Sequence, residues 1–278
     1  MTGDESGSST RIAPRKSRRE LRQQDISHVV MTEGAVRIEE LAERFGVSLM
    51  TIHRDLDDLE YRGLLRKSRG LATALPSSLV ESSDVFRSGQ ELDSKVDLAH
   101  AAIELIEPGQ AVMLDDSTTV QQLTALLPTR APLTVITNCL TVITEMTNVR
   151  GISLVALGGN YYNWCSSFMG RMTTTAITGL RADVFIMSTA AITDDICFHQ
   201  SAETVDTKRA MFDVSARRVL LADHSKFTKR ALYSLANLRE FDNVVVDSRT
   251  DAEDIQRLQG KGVDVTIAPP HADQYVSV

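Results

Sequence analysis

The sequence predicts an α/β protein in which a small amino-terminal winged helix-turn-helix precedes a larger, mostly parallel α/β domain. Three observations predict this. Two amphipathic segments separated by a glycine turn occupy residues 37–65, short β-branched runs alternate with helical segments beyond residue 110, and charge is divided unevenly along the chain. The expected organisation is a disordered tail over 1–17, the winged helix-turn-helix over 18–74, a linker over 75–90 and the larger α/β domain over 91–278.

Residues 1–17 are rich in Ser, Gly, Thr and Arg and lack periodicity, a composition that cannot bury enough surface to offset its ordering entropy. Helical patterning runs from Arg18 to Arg69. Within it Ile38, Leu41, Ala42 and Phe45 form one apolar stripe, and Gly46 is placed to end that helix in the left-handed conformation. Ser48 is placed to cap a second helix whose inner face carries Ile52, Leu56 and Leu59, and Gly63 stops it. A rotation of about 100° per residue then turns Met50, Thr51, His53, Arg54 and Asp57 outward, where a major groove would meet them. LLRKSRGLA follows, in which Arg66, Lys67 and Arg69 interrupt an extended apolar segment, the pattern of a wing laid on the sugar-phosphate backbone. Arg15, Lys16, Arg18, Arg19 and Arg22 form a second basic cluster upstream. An ordinary helical hairpin with a solvated charged face is the alternative, because Glu39, Glu40, Glu43, Asp57, Asp58 and Glu60 nearly neutralise the region.

Beyond the Pro- and Ser-containing linker, the buried-strand candidates are Ala111 to Leu114, Leu133 to Ile136, Ser153 to Leu157, Val184 to Met187, Arg218 to Ala222, Asn243 to Val246 and Val263 to Ile267. Helical segments lie between and around them: Ser94 to Ile106, Thr119 to Leu127, Leu140 to Thr147, Arg171 to Leu180, Glu203 to Ala216 and Asp251 to Gln259. The runs are apolar on consecutive residues, as strands covered on both faces require.

Composition narrows the function. With 278 residues, 42% apolar and 24% charged, the chain sustains one large or two ordinary domains. Its net charge of −7 means that any nucleic-acid site must be a local basic surface. Residues 1–75 hold 13 basic and 12 acidic side chains, so nearly all the negative charge lies beyond them. Three cysteines, Cys139, Cys165 and Cys197, without a CxxC pair argue against a disulfide framework or a structural zinc site. No apolar run approaches the roughly 18 residues of a membrane span. A cytoplasmic protein with no metal, no cofactor and no membrane partner is expected.

LAERFGVSLMTIHRDLDDLEYRGLLRKSRG resembles the amino-terminal signature of DeoR-type bacterial transcriptional regulators, VSxxTIRRDLxxLExxGLLxRxxGGA. Two positions depart from it: His53 stands where the family commonly has Arg, and Leu71 replaces the second glycine of the wing. The resemblance implies DNA contacts from Ser48, Met50, Thr51, His53, Arg54, Arg66, Lys67 and Arg69, with the departure at 53 bearing on operator preference.

Further along, strand ends read DDSTT at Asp115, VITNCL at Thr137 and Asn138, and ALGGNYYNWCSSFMG around Gly158 and Gly159; KRAM begins at Lys208 and LLADHSKF at Leu220. Hydroxyls at a helix start just past a strand place amide groups where an anion can sit, although such residues also serve simply as caps. These motifs resemble the LDSGTT, TN, LGG, SFxG, KR and LLADxSKF pattern of the same family, whose sensor domain is similar to ribose 5-phosphate isomerase. The resemblance now spans residues 20 to about 247. It implies that Ser117, Thr118 and Thr119 hold an effector's phosphate and that Asp115 and Asn138 hold its hydroxyls. Gly158 and Gly159 would shape the site, and Lys208 and Lys226 would supply positive charge. Ser117 occupies a usual glycine position. Lys208 has a blander reading as a surface ion pair with Glu203 or Asp206, Trp164, Tyr161 and Tyr162 as either core or lid, and His224, His199 and His100 as hydrogen-bonded residues without a second base.

The function expected is a DNA-binding transcriptional regulator, by resemblance a repressor of carbohydrate metabolism genes, controlled by a phosphorylated sugar and acting on a double-stranded DNA operator. One helix-turn-helix reads few base pairs, so a homo-oligomer on paired half-sites is also expected. The alternative is a sugar-phosphate isomerase-like enzyme with an accessory helical domain, for which Asp115, Asp116, Glu203 or Asp206 would be the candidate base.

Overall fold

The computed structural model describes residues 18–61, 63–74 and 84–271. The expected tail over 1–17, with Arg15 and Lys16, lies outside the described residues, as does the 75–83 part of the expected linker.

The amino-terminal unit is built from helix α1 (Arg18–Glu33), strand β1 (Ala35–Arg37), helices α2 (Ile38–Phe45) and α3 (Leu49–Tyr61), and strands β2 (Leu65–Ser68) and β3 (Leu71–Ala74). Gly46 terminates α2 at φ 61°, ψ 35°, and its amide donates back to the carbonyls of Ala42 and Glu43. Ser48 Oγ accepts the Thr51 amide at 3.2 Å and so caps α3. Ile38, Leu41, Ala42, Ile52, Leu56 and Leu59 meet in one buried cluster with Ile26 and Val30 of α1 and with Leu64, Leu65 and Ala72 of the wing. Phe45 is only partly buried against it. The wing pairs antiparallel from Leu65↔Ala74 to Ser68↔Leu71 and turns at Arg69 and Gly70. β1 adds a third strand against β3, an element that three residues are too few to announce.

The second unit begins with the short helix α4 (Asp84–Ser88) and helix α5 (Leu92–Ile103). Part of the stretch expected as linker is therefore helical. A parallel sheet follows, with β4 (Ala111–Leu114), β5 (Leu133–Thr137), β6 (Ile152–Ala156), β9 (Ala182–Ser188), β12 (Ser215–Ala222), β14 (Asn243–Asp247) and β15 (Val265–Ala268). Its order is β15-β14-β12-β9-β4-β5-β6, and every pairing is parallel. The seven expected runs are the seven strands. Alternate residues of one strand feed opposite cores: Val112 and Leu114 pack with Leu98 and Ala102 of α5, whereas Met113 packs on the other side with Phe185 and Met211. Both faces are covered, which is why the runs read as continuously apolar.

Helices α6 (Leu140–Met146), α7 (Arg171–Thr178), α8 (Ala202–Asp213) and α9 (Ala252–Gly260) lie near the expected segments. The helix expected over Thr119 to Leu127 is instead two 3-10 turns, Val120–Leu123 and Leu127–Arg130. Side chains there compete for the carbonyls: Thr124 Oγ1 donates to Gln121 O at 2.6 Å and Gln122 Nε2 to Thr118 O at 3.2 Å. Two small antiparallel elements were not apparent in the sequence. They are the hairpin β7 (Asn160–Tyr162) with β8 (Ser167–Met169), and a three-stranded sheet of β10 (Ala191–Thr193), β11 (Ile196–His199) and β13 (Tyr233–Asn237).

Candidate functional site

Two surfaces gather the expected functional residues. On α3, Met50, Arg54 and Asp57 are exposed, Thr51 and His53 are half-buried, and Ser48 is exposed at the cap. Arg66 and Arg69 are exposed on the wing beside them. Lys67 is half-buried and forms an ion pair with Asp57, while its amide donates to Glu60 Oε1 at 2.8 Å. The expected upstream basic cluster is corrected in part. Arg22 Nε lies 2.6 Å from Asp55, and Arg19 pairs with Asp55 and Asp58, so these arginines bind α1 to α3. Asp55 is buried, and Gln23 Nε2 donates to it at 3.1 Å. Burying that carboxylate calls for such partners, and it draws Arg22 inward, while Arg19 stays exposed.

The second surface lies where strand order reverses. β4 and β9 are neighbours, successive strands run outward on either side of them, and their carboxyl ends open the crevice in which open parallel sheets bind ligands. The cleft there is lined by Arg87 of α4, by Ser117, Thr118 and Thr119 after β4, by Ser188 and Thr189 at the end of β9, and by His199, Lys208 and Lys226. It continues into a cavity that shares Arg87 and Lys226 and adds Lys95 of α5, Asp223 and Lys229.

Asp115 is the pivot. Its Oδ1 accepts the Ser117 amide at 2.9 Å and the Ser117 hydroxyl at 2.6 Å, and its Oδ2 accepts the Ser188 amide at 2.9 Å and Lys208 Nζ at 2.7 Å. Both oxygens are thus occupied by the protein. Lys208 is 2% exposed, also donates to Ser188 O at 2.9 Å, and lies 3.5 Å from Asp116. The surface ion pair with Glu203 or Asp206 is thereby corrected: the pair is buried and its partners are Asp115 and Asp116, which hold the Lys208 ammonium above the ordinary lysine value despite its burial. Glu203 and Asp206 line a separate groove between α7 and α8.

Lys95 is equally buried, yet among the described residues no carboxylate lies within ion-pairing distance of it. Its Nζ donates to the Arg87 carbonyl and, at 3.1 Å, to Thr118 Oγ1. Burial, reinforced by the neighbouring charge of Lys226, lowers its pKa to about 7. Burial also lowers Lys226, against the pull of Asp223 at 3.3 Å. His199 is held neutral by burial beside Lys208. Among the described residues no cluster of three His, Cys, Asp or Glu could hold a metal, and no helix is long and apolar enough to cross a membrane.

The chain matches the DeoR-like helix-turn-helix domain over residues 22–78 and the DeoR C-terminal sensor domain over residues 90–248. It belongs to the DeoR family. Similar relatives include the transcriptional repressor AccR of Agrobacterium fabrum, 33% identical over 82% of this chain and 90% of the relative. The glycerol-3-phosphate regulon repressor of Escherichia coli is 30% identical over 82% of this chain and 90% of its own length. Among solved structures, ribose 5-phosphate isomerase A from Methanocaldococcus jannaschii is 15% identical, covering 48% of this chain and 53% of that one with a TM-score of 0.35.

For this DeoR-family regulator the sequence motifs converge incompletely. Ser117, Thr118, Thr119, Lys208 and Lys226 line the cleft. Asn138, Gly158 and Gly159 are not among its lining residues. Asn138 Nδ2 donates to Phe168 O at 2.9 Å and so anchors the β7–β8 hairpin. A side chain at Gly159 would place its Cβ 2.0 Å from Thr173 Oγ1 and 2.8 Å from Met169 O, so close packing of the hairpin on α7 requires glycine there. Gly159→Ala is therefore expected to cost about 1–3 kcal/mol of stability, read as a lowered urea midpoint. Tyr161, Tyr162 and Trp164 lie along the same hairpin: Tyr161 packs on Phe168 with ring centroids 5.4 Å apart, and Tyr162 on Trp164 at 6.4 Å. His224 Nδ1 bonds Asp247 at 2.7 Å, and His100 stacks on His271 at 3.7 Å.

Sequence reasoning missed Arg87, Lys95, Ser188 and Thr189. Only Lys95 carried a signal: a lysine falling on the inner face of an otherwise apolar helix beside Leu98 and Ala102.

Proposed function

We propose that this DeoR-family regulator is a cytoplasmic, homo-oligomeric repressor of carbohydrate genes whose cleft binds a phosphorylated sugar and thereby changes its hold on an operator. The observation that carries this reading is the buried positive charge at the strand switch point. Lys208 and Lys226 face Asp115, Asp116 and Asp223, whereas the buried Lys95 has no carboxylate within ion-pairing distance among the described residues and donates to Thr118 Oγ1 at 3.1 Å. That ammonium stands out in a chain whose residues beyond 75 are strongly acidic. A buried ammonium without a carboxylate is costly, and a phosphate dianion relieves the cost. Ser117, Thr118, Thr119, Lys95 and Lys226 are the proposed phosphate ligands. Arg54 and Thr51 are the proposed base readers, with Ser48, Met50 and His53 beside them; Arg66, Lys67 and Arg69 are the proposed phosphate contacts on DNA.

The isomerase-like alternative is disfavoured by the same geometry. Asp115 has no free oxygen to act as a base, Asp116 is buried beside Lys208 at 3.5 Å and is not among the residues lining the cleft, and Glu203 and Asp206 lie outside it. Accumulation of an isomerised product from any bound sugar phosphate would reverse that judgement.

A thermal-shift screen of sugar phosphates tests the reading, because a ligand at 100 times its dissociation constant adds about 2.7 kcal/mol. Lys95 supplies a signature of its own. With a native pKa of about 7 against an ordinary value of 10.5, the unfolded chain binds more protons than the native one between those limits. Stability of the ligand-free protein should therefore rise with pH from about 7 towards 9, above which the buried thiols of Cys139, Cys165 and Cys197, raised from their ordinary value of 9.0, act in the opposite sense. Lys226 acts in the same sense as Lys95. Lys95→Met should flatten the rise, as should a saturating phosphate ligand that keeps Lys95 charged; a slope unchanged in the variant would refute the assignment.

A further inference from the structure

The turn of the β7–β8 hairpin touches both units of the chain. Asn163 Nδ2 donates to the carbonyl of Tyr61, the last residue of α3, from 102 positions away. A carbonyl at the end of a helix finds no amide within its own helix, so Asn163 brings a donor that α3 cannot supply itself. The carbonyl of the next residue, Trp164, accepts the amide of Asp84, the first residue of α4, at 2.8 Å. Helix α1 of the amino-terminal unit also lies against α4.

The other end of α4 stands in the cleft. Arg87 lines both the cleft and the cavity that continues it, and its carbonyl accepts Lys95 Nζ. That ammonium also donates to Thr118 Oγ1 at 3.1 Å, and its third N–H remains for an anion. A phosphate bound against Lys95 and the Arg87 guanidinium therefore pulls on α4 through a side chain and through the partner of a carbonyl. The hairpin stem cannot follow. The Phe168 amide donates to Asn138 O and Asn138 Nδ2 donates to Phe168 O, each at 2.9 Å, and the Leu140 amide donates to Ser166 O at 2.8 Å, which fixes the stem to the end of β5. The turn thus lies between a fixed support and a helix tied to the cleft, so a shift of α4 is felt there.

Coupling between two sites needs an interaction whose free energy differs between two states. Bonds within either unit survive a change in how the units sit, whereas the bond from Asn163 to Tyr61 does not. We propose that the turn at Asn163 and Trp164 positions α3 and transmits occupancy of the cleft to DNA binding: Asn163 holds the end of the reading helix, and Trp164 is held by α4. The link to the cleft rests on the phosphorylated-sugar reading; the hold on α3 does not. Asn163 is not among the residues lining the cleft, and it meets α3 at its carboxyl end, away from the proposed base readers, so it is a positioning residue.

The test titrates full-length protein into labelled DNA from the upstream region of its own gene, without and with inorganic phosphate or triose, pentose and hexose phosphates, at constant ionic strength. Trp164 is the sole tryptophan, so its emission reads the turn directly. In wild type the tightest-binding of these compounds should change operator affinity by about fivefold or more, and that compound and the operator should each shift Trp164 emission. Asn163→Ala should melt as wild type does and still bind the compound, yet its operator affinity should change by less than about twofold. Asn163→Asp, which keeps the shape of the side chain but cannot donate, should behave as Asn163→Ala does. Coupling equal to wild type in either variant overturns the assignment, as does a wild type that binds a sugar phosphate with no change in operator affinity. If wild type binds none of these compounds, the phosphorylated-sugar reading fails, and operator titration alone decides the hold on α3. Trp164 emission should then shift on operator binding in wild type and not in Asn163→Ala; a shift equal in both, or absent in wild type, removes the positioning role.

Discussion

Lys208→Met is expected to lower folding stability by about 3–5 kcal/mol, the usual consequence of removing one member of a buried ion pair. The ammonium lies 2.7 Å from Asp115 and 3.5 Å from Asp116, and both carboxylates are at most 2% exposed. Without Lys208, neither carboxylate has another cation within ion-pairing distance among the described residues. Urea denaturation at neutral pH measures the loss, and a change below about 1 kcal/mol would mean that the pair behaves like a screened surface contact. The sign with pH is defined. Because the native pKa of Lys208 is raised, its contribution is complete below the ordinary value of 10.5 and is lost only as pH climbs through the native value. Acidification to pH 6 should therefore leave this contribution intact. The variant should also lose its response to sugar phosphates, since Lys208 ties the end of β9 to that of β4 through Ser188 O and Asp115.

Arg54→Ala is expected to weaken operator binding by about 1–3 kcal/mol for each reading head engaged, hence by roughly 2–6 kcal/mol in a two-headed assembly. Arg54 is exposed on α3 and, among the described residues, forms no ion pair, whereas Arg19 and Arg22 are committed to Asp55 and Asp58. Fluorescence anisotropy with DNA from the upstream region of its own gene, at several salt concentrations, reads the effect. Arg66→Ala should behave differently. A phosphate contact on the wing should lower affinity for all sequences alike and reduce the salt slope by about one unit, whereas Arg54→Ala should relax sequence preference. Equal losses on operator and random DNA in Arg54→Ala would remove that residue from base readout.

How legible the molecule is from its sequence can be judged from particular elements. The seven parallel strands are visible because a strand covered on both faces must be apolar at consecutive positions, as in Val112, Met113 and Leu114. The helix-turn-helix is visible because its turn and cap depend on near neighbours: Gly46 closes onto Ala42 and Glu43, and Ser48 caps Thr51. The small sheet of β10, β11 and β13 is not visible, since its strands are three to five residues long and β13 joins β11 from more than thirty positions away. The helix expected from Thr119 shows the limit of periodicity, because the hydroxyl and amide side chains there bond the carbonyls that a helix would use.

The sequence by itself determined the family, the helix-turn-helix with its wing, the seven parallel strands in chain order, and which residues follow each of them. Only the tertiary structure decided what those residues do. It showed that Asp115 is fully bonded while Asp116 keeps an orphaned oxygen, that Lys208 is buried between two carboxylates, and that Lys95 enters the cleft from a helix before the sheet. The physical reason is range. Helix caps, turns and apolar periodicity are settled within a few residues of chain, whereas the charge of a lysine and the hydrogen bonding of a carboxylate depend on partners that folding brings from far along the chain, 93 positions in the case of Lys208 and Asp115.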